Sequence, residues 1–218
     1  MSFIATTAPA DAQGPVAEMY RRQEASWGFV PNYVRVFSHR PELMARWGAL
    51  LAEIKRPMDK RRFELATFAA AHELRHSACA LAHGRVLREF FADREILAIA
   101  EQRPDPALSE AEQALLRFAR QVASDAAQVS AQDVAALRDA GYGDAEIFDI
   151  AAAVAGRAFF TKLLDALGVL ADAPPPELTP ALCEALTVGR PVDRAPHVTM
   201  PALTPVVTPA GAPADASC

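Results

Sequence analysis

The chain has 218 residues, a hydrophobic fraction of 51% and a formal net charge of −5 at pH 7. This length suits one domain with a sizeable core, with or without a tail. Because both signs of charge are interspersed, no basic patch indicates binding to nucleic acid or to an anionic membrane. The apolar runs are shorter than the roughly 18 to 20 residues of a membrane-spanning helix, and the first residues do not resemble a signal peptide. We therefore expect a cytoplasmic protein.

The pattern of apolar residues predicts helices and no strand longer than a few residues. After an N-terminal arm at 1–14, Pro15 begins a helix that continues to about Ala25. The segment 27–32 then interrupts the helix, and we interpret Trp27 and Trp47 as core residues. A short helix at 33–38 follows, and another begins after Ser38 or His39. The expected apolar side of this helix is formed by Leu43, Trp47, Leu50, Leu51 and Ile54.

Polar residues at helix starts predict where the remaining helices begin. Ser109 is followed by Glu112, which is the pattern of a capping box. Glycines at 141 and 168 are expected to end two of these helices. The predicted N-terminal capping or opening residues are, in chain order, Asp59, Ser77, Asp93, Ser109, Ser130 and Asp144. The sequence therefore predicts an all-α fold.

The composition changes after Leu170, because residues 171–218 contain ten of the 17 prolines. We therefore predict a helical domain at 15–170 and a C-terminal extension at 171–193. The amphipathic segment Leu178–Leu186 lets this extension dock on the domain. From Arg194 to the end we expect a disordered or extended tail.

The segment from Glu64 to Gly84 combines a thiol, a base and an acid. Cys79 and His83 are four residues apart and share a helix face. If the helix begins near Ser77, Cys79 lies in its first turn, where the helix dipole and free N–H groups favour the thiolate. His83 can accept the thiol proton, and Glu64 on the preceding helix can orient His83 or take up a proton itself. These are the parts of an activated nucleophile.

Two other interpretations of this segment remain open. A cysteine in an Ala-rich helix is more often a small buried apolar residue than a reactive thiol. His72, His76, Cys79 and His83 would form a stripe of zinc-type ligands on an unbroken helix, but four side chains of one helix rarely converge on a tetrahedral ion. We therefore expect no metal and no cofactor.

The other cysteines do not form a disulfide framework with Cys79. Cys183 and Cys218 lie in or near the tail, and the sequence has no Cys-x-x-Cys pair. Arg157 is a separate anomaly, because an arginine within an apolar helix needs a partner carboxylate or an interface.

Several motifs in succession resemble the peroxidase-related branch of the AhpD-like, or carboxymuconolactone decarboxylase-like, superfamily. The resemblance covers about residues 15–192. The motifs are WGFVPN at 27–32, RPEL at 40–43, RFEL at 62–65, CALAHG at 79–84, LSEAE at 108–112, LRDAG at 137–141 and LTVGRP at 186–191. The resemblance implies an all-α fold in which a central helical hairpin carries the site, and a homo-oligomer such as a dimer, trimer or hexamer.

The resemblance also implies roles for individual residues. In the redox-active members, a glutamate precedes Cys-x-x-Cys-x-x-x-His. The second cysteine reacts with peroxide, the first resolves it as a disulfide, and the glutamate and histidine relay protons. Glu64, Cys79 and His83 fall on the glutamate, the second cysteine and the histidine, whereas His76 falls on the first cysteine.

Because His76 replaces the resolving thiol, three activities remain open. The favoured one is an antioxidant oxidoreductase, a one-cysteine peroxidase that uses an external thiol as reductant. The second is a lyase or isomerase of a lactone or other carboxylated small molecule, with proton transfer by His76, His83 and Glu64. The third is a non-catalytic relative that keeps only the fold.

Overall fold

The computed structural model describes residues 2–174 and 176–201. Within these ranges there are ten α-helices, and the only β-pairing is an isolated parallel bridge between Ala171 and Val192. In the same ranges, no helix is long and apolar enough to cross a membrane. The prediction of an all-α fold is confirmed. The helices are α1 (Gly14–Trp27), α2 (Asn32–Val36), α3 (Pro41–Lys55), α4 (Lys60–Glu73), α5 (Ser77–Leu87), α6 (Asp93–Ala100), α7 (Glu110–Asp125), α8 (Ala131–Asp139), α9 (Asp144–Ala166) and α10 (Pro180–Leu186).

Three of the predicted caps act as expected, because the side chains of Asp59, Ser109 and Ser130 accept hydrogen bonds from the first turns of α4, α7 and α8. The caps of α6 and α9 lie one residue earlier than predicted. In these helices the carboxylates of Glu95 and Glu146 bond back to the backbone N–H groups of residues 92 and 143. Asp93 and Asp144 therefore become the first helical residues.

Two other helix starts also differ from the prediction. The residue before α3 is Arg40, because Pro41 occupies the first helical position and needs no N–H partner. The cap of α5 is His76 and not Ser77, because the His76 ring accepts the N–H of Cys79.

Helix α4 is the centre of the fold and packs against α5, α7 and α9. Its middle consists of small residues, including Ala69, Ala70 and Ala71, which are completely buried. Small side chains let the neighbouring helices approach closely. After α4 the chain reverses at Arg75, which has a positive φ of 55°. The resulting α4–α5 hairpin carries Glu64 on its first helix and Cys79 and His83 on its second.

The C-terminal residues lie against this framework. Leu178, Leu182 and Leu186 are buried, and α10 packs on α5 and α6. Residues 194–201 continue as extended chain along the end of α1, where Met200 is buried and the N–H of Val30 donates to the carbonyl of Val198. The rest of the predicted tail, 202–218 with Cys218, lies outside the described residues.

Candidate active site

A cavity of about 570 Å³ opens between α1, α3, α5, α9 and the C-terminal extension. Cys79, His83 and Glu64 all contribute to its wall, together with Arg157. Most of the remaining lining is apolar or aromatic. The aromatic residues that line it are Trp27, Phe29, Tyr33, Trp47, Phe160 and His197.

The interpretation of both tryptophans as core residues is wrong for Trp27, which is 41% exposed. Trp27 ends α1 beside Gly28, whose φ of 80° turns the chain away, so the indole stays at the cavity margin. Trp47 is partly buried and stacks on Phe160 with ring centroids 4.3 Å apart. The edge of Tyr33 meets Phe160 at 5.4 Å, so three aromatic rings form one continuous apolar wall.

Cys79 lies in the first turn of α5, as predicted, and is only 5% exposed. Its backbone N–H donates to Nδ1 of His76, and a guanidinium N–H of Arg157 donates to its sulfur over 3.6 Å. Burial raises the pKa of the thiol, although Arg157 acts in the opposite direction. The prediction that the helix start favours the thiolate is therefore wrong. The net shift of the thiol pKa is upward, because desolvation of the charged form outweighs the nearby positive charge.

Glu64 and His83 form a buried pair in which Nδ1 of His83 lies 2.6 Å from a carboxylate oxygen of Glu64. Burial opposes ionisation of Glu64, but the hydrogen bond and charge of His83, with the charge of Lys55, lower its pKa. Burial and Arg157 lower the pKa of His83, although Glu64 raises it. Near neutral pH the pair is thus a carboxylate and a neutral imidazole. A bond from Nδ1–H to Glu64 leaves Nε2 free to accept a proton.

The structure brings Glu64, Cys79 and His83 together at the cavity and places His76 elsewhere. The His76 ring is buried at the start of α5 and does not line the cavity. Burial and Arg157 lower its pKa to about 4, so the ring is neutral and its Nδ1 is occupied by the N–H of Cys79. His72 belongs to α4, so the stripe of four ligand-type residues is divided between two helices. Residues 2–174 and 176–201 contain no group of three or more side chains suited to a metal.

Arg157 also belongs to this site. The sequence marked it as an anomaly within an apolar helix but assigned no role to it. It is 5% exposed on α9 and has no ion pair with any described carboxylate. Its guanidinium lies 5.9 Å from the centroid of Trp47 and 5.8 Å from that of Phe160. The sequence predicted a partner carboxylate or an interface for Arg157; within the described residues its neighbours are a sulfur and two aromatic faces. These groups come together because α9 packs on the hairpin and on α3.

No protein-family model matches the sequence, and no curated protein is similar to it. Solved structures are similar in fold. An uncharacterized peroxidase-related protein with an AhpD core from Ralstonia eutropha JMP134 has a TM-score of 0.65 and 22% identity, over 87% of this chain and 98% of that chain. A peroxidase-related protein from Silicibacter sp. TM1040 has a TM-score of 0.61 and 18% identity, over 80% and 96% of the two chains.

A third similar structure is the debrominase Bmp8, with a TM-score of 0.64 and 20% identity over 78% of this chain and 91% of that chain. A cysteine-to-alanine variant of Bmp8 has been solved in complex with 2,3,4-tribromopyrrole. This chain therefore has an AhpD-like all-α fold, as the motifs indicated.

Proposed function

We propose that the protein is a one-cysteine, thiol-dependent peroxidase that reduces an organic hydroperoxide. The observation that carries this proposal is the position of the Cys79 sulfur, which lines the same cavity as the Glu64–His83 pair. The other cysteine in the described part of the chain, Cys183, does not line the cavity. A cavity of about 570 Å³ is far larger than hydrogen peroxide needs and has the size of a small-molecule site.

In the first half-reaction, Nε2 of His83 removes the thiol proton and the sulfur attacks the terminal oxygen of the hydroperoxide. An S–O bond forms as the O–O bond breaks, so Cys79 is oxidised to a sulfenic acid. The leaving alkoxide takes the proton back from His83 and departs as an alcohol. Glu64 stabilises the imidazolium that exists between these two transfers.

In the second half-reaction, an external thiol attacks the sulfenic sulfur, which releases water and forms a mixed disulfide. A second thiol molecule reduces this disulfide and regenerates the Cys79 thiol. The proposal needs an external reductant because no second cysteine among the described residues lines the cavity, and the resemblance puts His76 in place of the resolving cysteine.

The test is consumption of cumene hydroperoxide with dithiothreitol as reductant. We expect Cys79→Ser to abolish turnover and His83→Ala to lower it by about 100-fold, the usual contribution of a general base. Cys183→Ser is the matched control and keeps the wild-type rate. Equal rates in wild type and Cys79→Ser contradict the thiol mechanism. Turnover of a carboxylated substrate that survives Cys79→Ser but not His83→Ala would instead support the lyase or isomerase.

A second candidate is reductive dehalogenation of a haloaromatic compound, which is favoured by the aromatic wall of the cavity. The balanced reaction converts an aryl bromide and two thiols into the arene, a disulfide and hydrogen bromide. Bromide release from 2,3,4-tribromopyrrole, measured with the same variants and thiol, tests it. If wild type releases no bromide above the Cys79→Ser background, this candidate is wrong.

A further inference from the structure

Arg157 is a buried cation whose N–H groups are mostly without an acceptor among the described residues, as in an anion-binding site. Only one of its nitrogens has a hydrogen-bond partner among the described residues, the sulfur of Cys79. Its Nε is completely buried and has no partner in the described part of the chain. A buried guanidinium without a counter-charge is costly, and proteins retain such a group where a ligand completes its hydrogen bonds.

The acidic groups that line the cavity form no ion pair with Arg157. Glu64 is engaged by His83 at 2.6 Å and by Lys55 at 4.0 Å. Asp172 accepts the backbone N–H of Asn32, and burial raises the pKa of this carboxyl to about 6. Glu177 is exposed, so water screens its charge. The charge of Glu64 acts on Arg157 through space, but most N–H groups of the guanidinium have no acceptor among the described residues.

The aromatic rings around Arg157 indicate the shape of the ligand that would fit beside it. Trp47, Phe160 and Tyr33 present flat apolar faces to the same space, and the guanidinium lies close to two of these rings. A planar apolar body can pack on this wall while an attached anionic group reaches the free N–H groups of the guanidinium. Because Arg157 touches the Cys79 sulfur, the anionic group would lie close to the reacting atoms.

We propose that the substrate is a planar aromatic molecule with a carboxylate or an equivalent anionic group that binds to Arg157. This inference deepens the proposed function, since it assumes that the substrate occupies the cavity at Cys79. Arg157 then has two tasks: it orients the substrate, and it favours anionic over neutral molecules of the same shape.

The test measures binding without turnover, by calorimetric titration near pH 7.5. The probes are 2-naphthoate, its neutral analogue 2-naphthamide and the flexible carboxylate octanoate. We expect 2-naphthoate to bind wild type at least about tenfold more tightly than either of the others, the worth of one charge-assisted hydrogen bond. Equal affinity for 2-naphthoate and 2-naphthamide, equal affinity for octanoate, or no detectable binding of 2-naphthoate would overturn the proposal.

Two substitutions of Arg157 test whether this residue causes the preference. Arg157→Met should lose the preference for 2-naphthoate over 2-naphthamide, whereas Arg157→Lys should keep part of it, since the charge remains without the planar fork. An Arg157→Met variant that folds and keeps the full preference would contradict the role of Arg157. If Arg157→Met does not fold, two results still test the proposal: the preference of Arg157→Lys for 2-naphthoate, and the affinities of wild type for the three probes.

Cys79→Ser separates this inference from the proposed function. It should keep the preference for 2-naphthoate, because a serine hydroxyl in place of the sulfur leaves the charge and the free N–H groups of Arg157 unchanged. Loss of the preference in Cys79→Ser would contradict the inference. Absence of peroxidase activity together with selective binding in wild type would reject the proposed function and leave the binding site standing.

Discussion

At the scale of single residues, His76 supports the site without facing the cavity. Its Nδ1 accepts the N–H of Cys79, which is one of the backbone groups that a helix start leaves without a partner. Protonation of the ring would remove this acceptor and place a second positive charge near Arg157. The neutral ring therefore stabilises the turn that carries Cys79.

Replacing His76 tests this role through the pH dependence of stability. Because its pKa falls from 6.5 in the unfolded chain to about 4 in the folded protein, the unfolded chain binds more protons in this window. Stability is thus lost as the pH falls from about 6.5 to 4, by at most about 3 kcal/mol. His76→Asn keeps a capping side chain but does not titrate, so urea unfolding should show a shallower loss.

Unfolding of both proteins near pH 8, where the His76 ring is neutral in the folded and the unfolded state, gives the pH-independent cost of the substitution. His72 and His83 remain in both proteins, so the difference in pH dependence reports His76 alone. Identical profiles for wild type and His76→Asn would show that this ring does not couple folding to protonation.

At the scale of elements, the C-terminal extension supports the α4–α5 hairpin. The N–H of Gly189 donates to Oγ of Ser77 over 2.9 Å, and Nε of Arg75 donates to the carbonyl of Val188 over 3.1 Å. A Cβ atom at Gly189 would collide with the backbone carbonyl of Arg75. This segment thus lies directly on the turn that precedes Cys79, and only glycine permits the approach.

Gly189→Ala should therefore destabilise the protein by about 1 to 3 kcal/mol, the usual cost of overpacking. The matched control is Gly48→Ala in α3, where the added methyl group meets no atom within 4 Å. That variant should gain up to about 1 kcal/mol from helix propensity. Thermal unfolding of both variants measures the difference, and equal melting temperatures would disprove the close contact.

Local signals in the sequence were sufficient for the helices, the caps at Asp59 and Ser109, and the position of Cys79 at a helix start. They were not sufficient for the protonation of Cys79 or the partner of Arg157. The contact between these two residues joins positions 78 apart, and it exists only because α9 packs beside the hairpin. Histidine is an uncommon cap, so no composition rule separated His76 from a catalytic base.

At the scale of the whole molecule, residues 194–201 close one side of the cavity. The ring of His197 stacks on Phe29 with centroids 3.7 Å apart, and the N–H of Met200 donates to a carboxylate oxygen of Glu24. Both His197 and Phe29 line the cavity. This segment thus places the ring of His197 in the wall of the cavity that Cys79 also lines, and we expect it to restrict access to the thiol.

Two truncated chains isolate this contribution. A chain that ends at Asp193 should be less stable than one that ends at Pro201 by about 2 kcal/mol, since Met200 is no longer buried. In a Cys183→Ser background both chains have Cys79 as their sole cysteine. Its alkylation by iodoacetamide should be faster in the shorter chain. Equal rates would mean that residues 194–201 do not restrict access to the thiol.

The position of Cys79 in the cavity wall has a kinetic consequence for the proposed one-cysteine mechanism. In that mechanism the hydroperoxide must first oxidise the Cys79 thiol, and the reductant reacts afterwards with the sulfenic acid in the same cavity. The alcohol must leave before the reducing thiol enters, which is ping-pong kinetics. Initial rates at several fixed thiol concentrations should give parallel double-reciprocal lines, and excess hydroperoxide should not speed the second half-reaction. Intersecting lines would show that hydroperoxide and thiol bind together, which would contradict the proposed order of reaction.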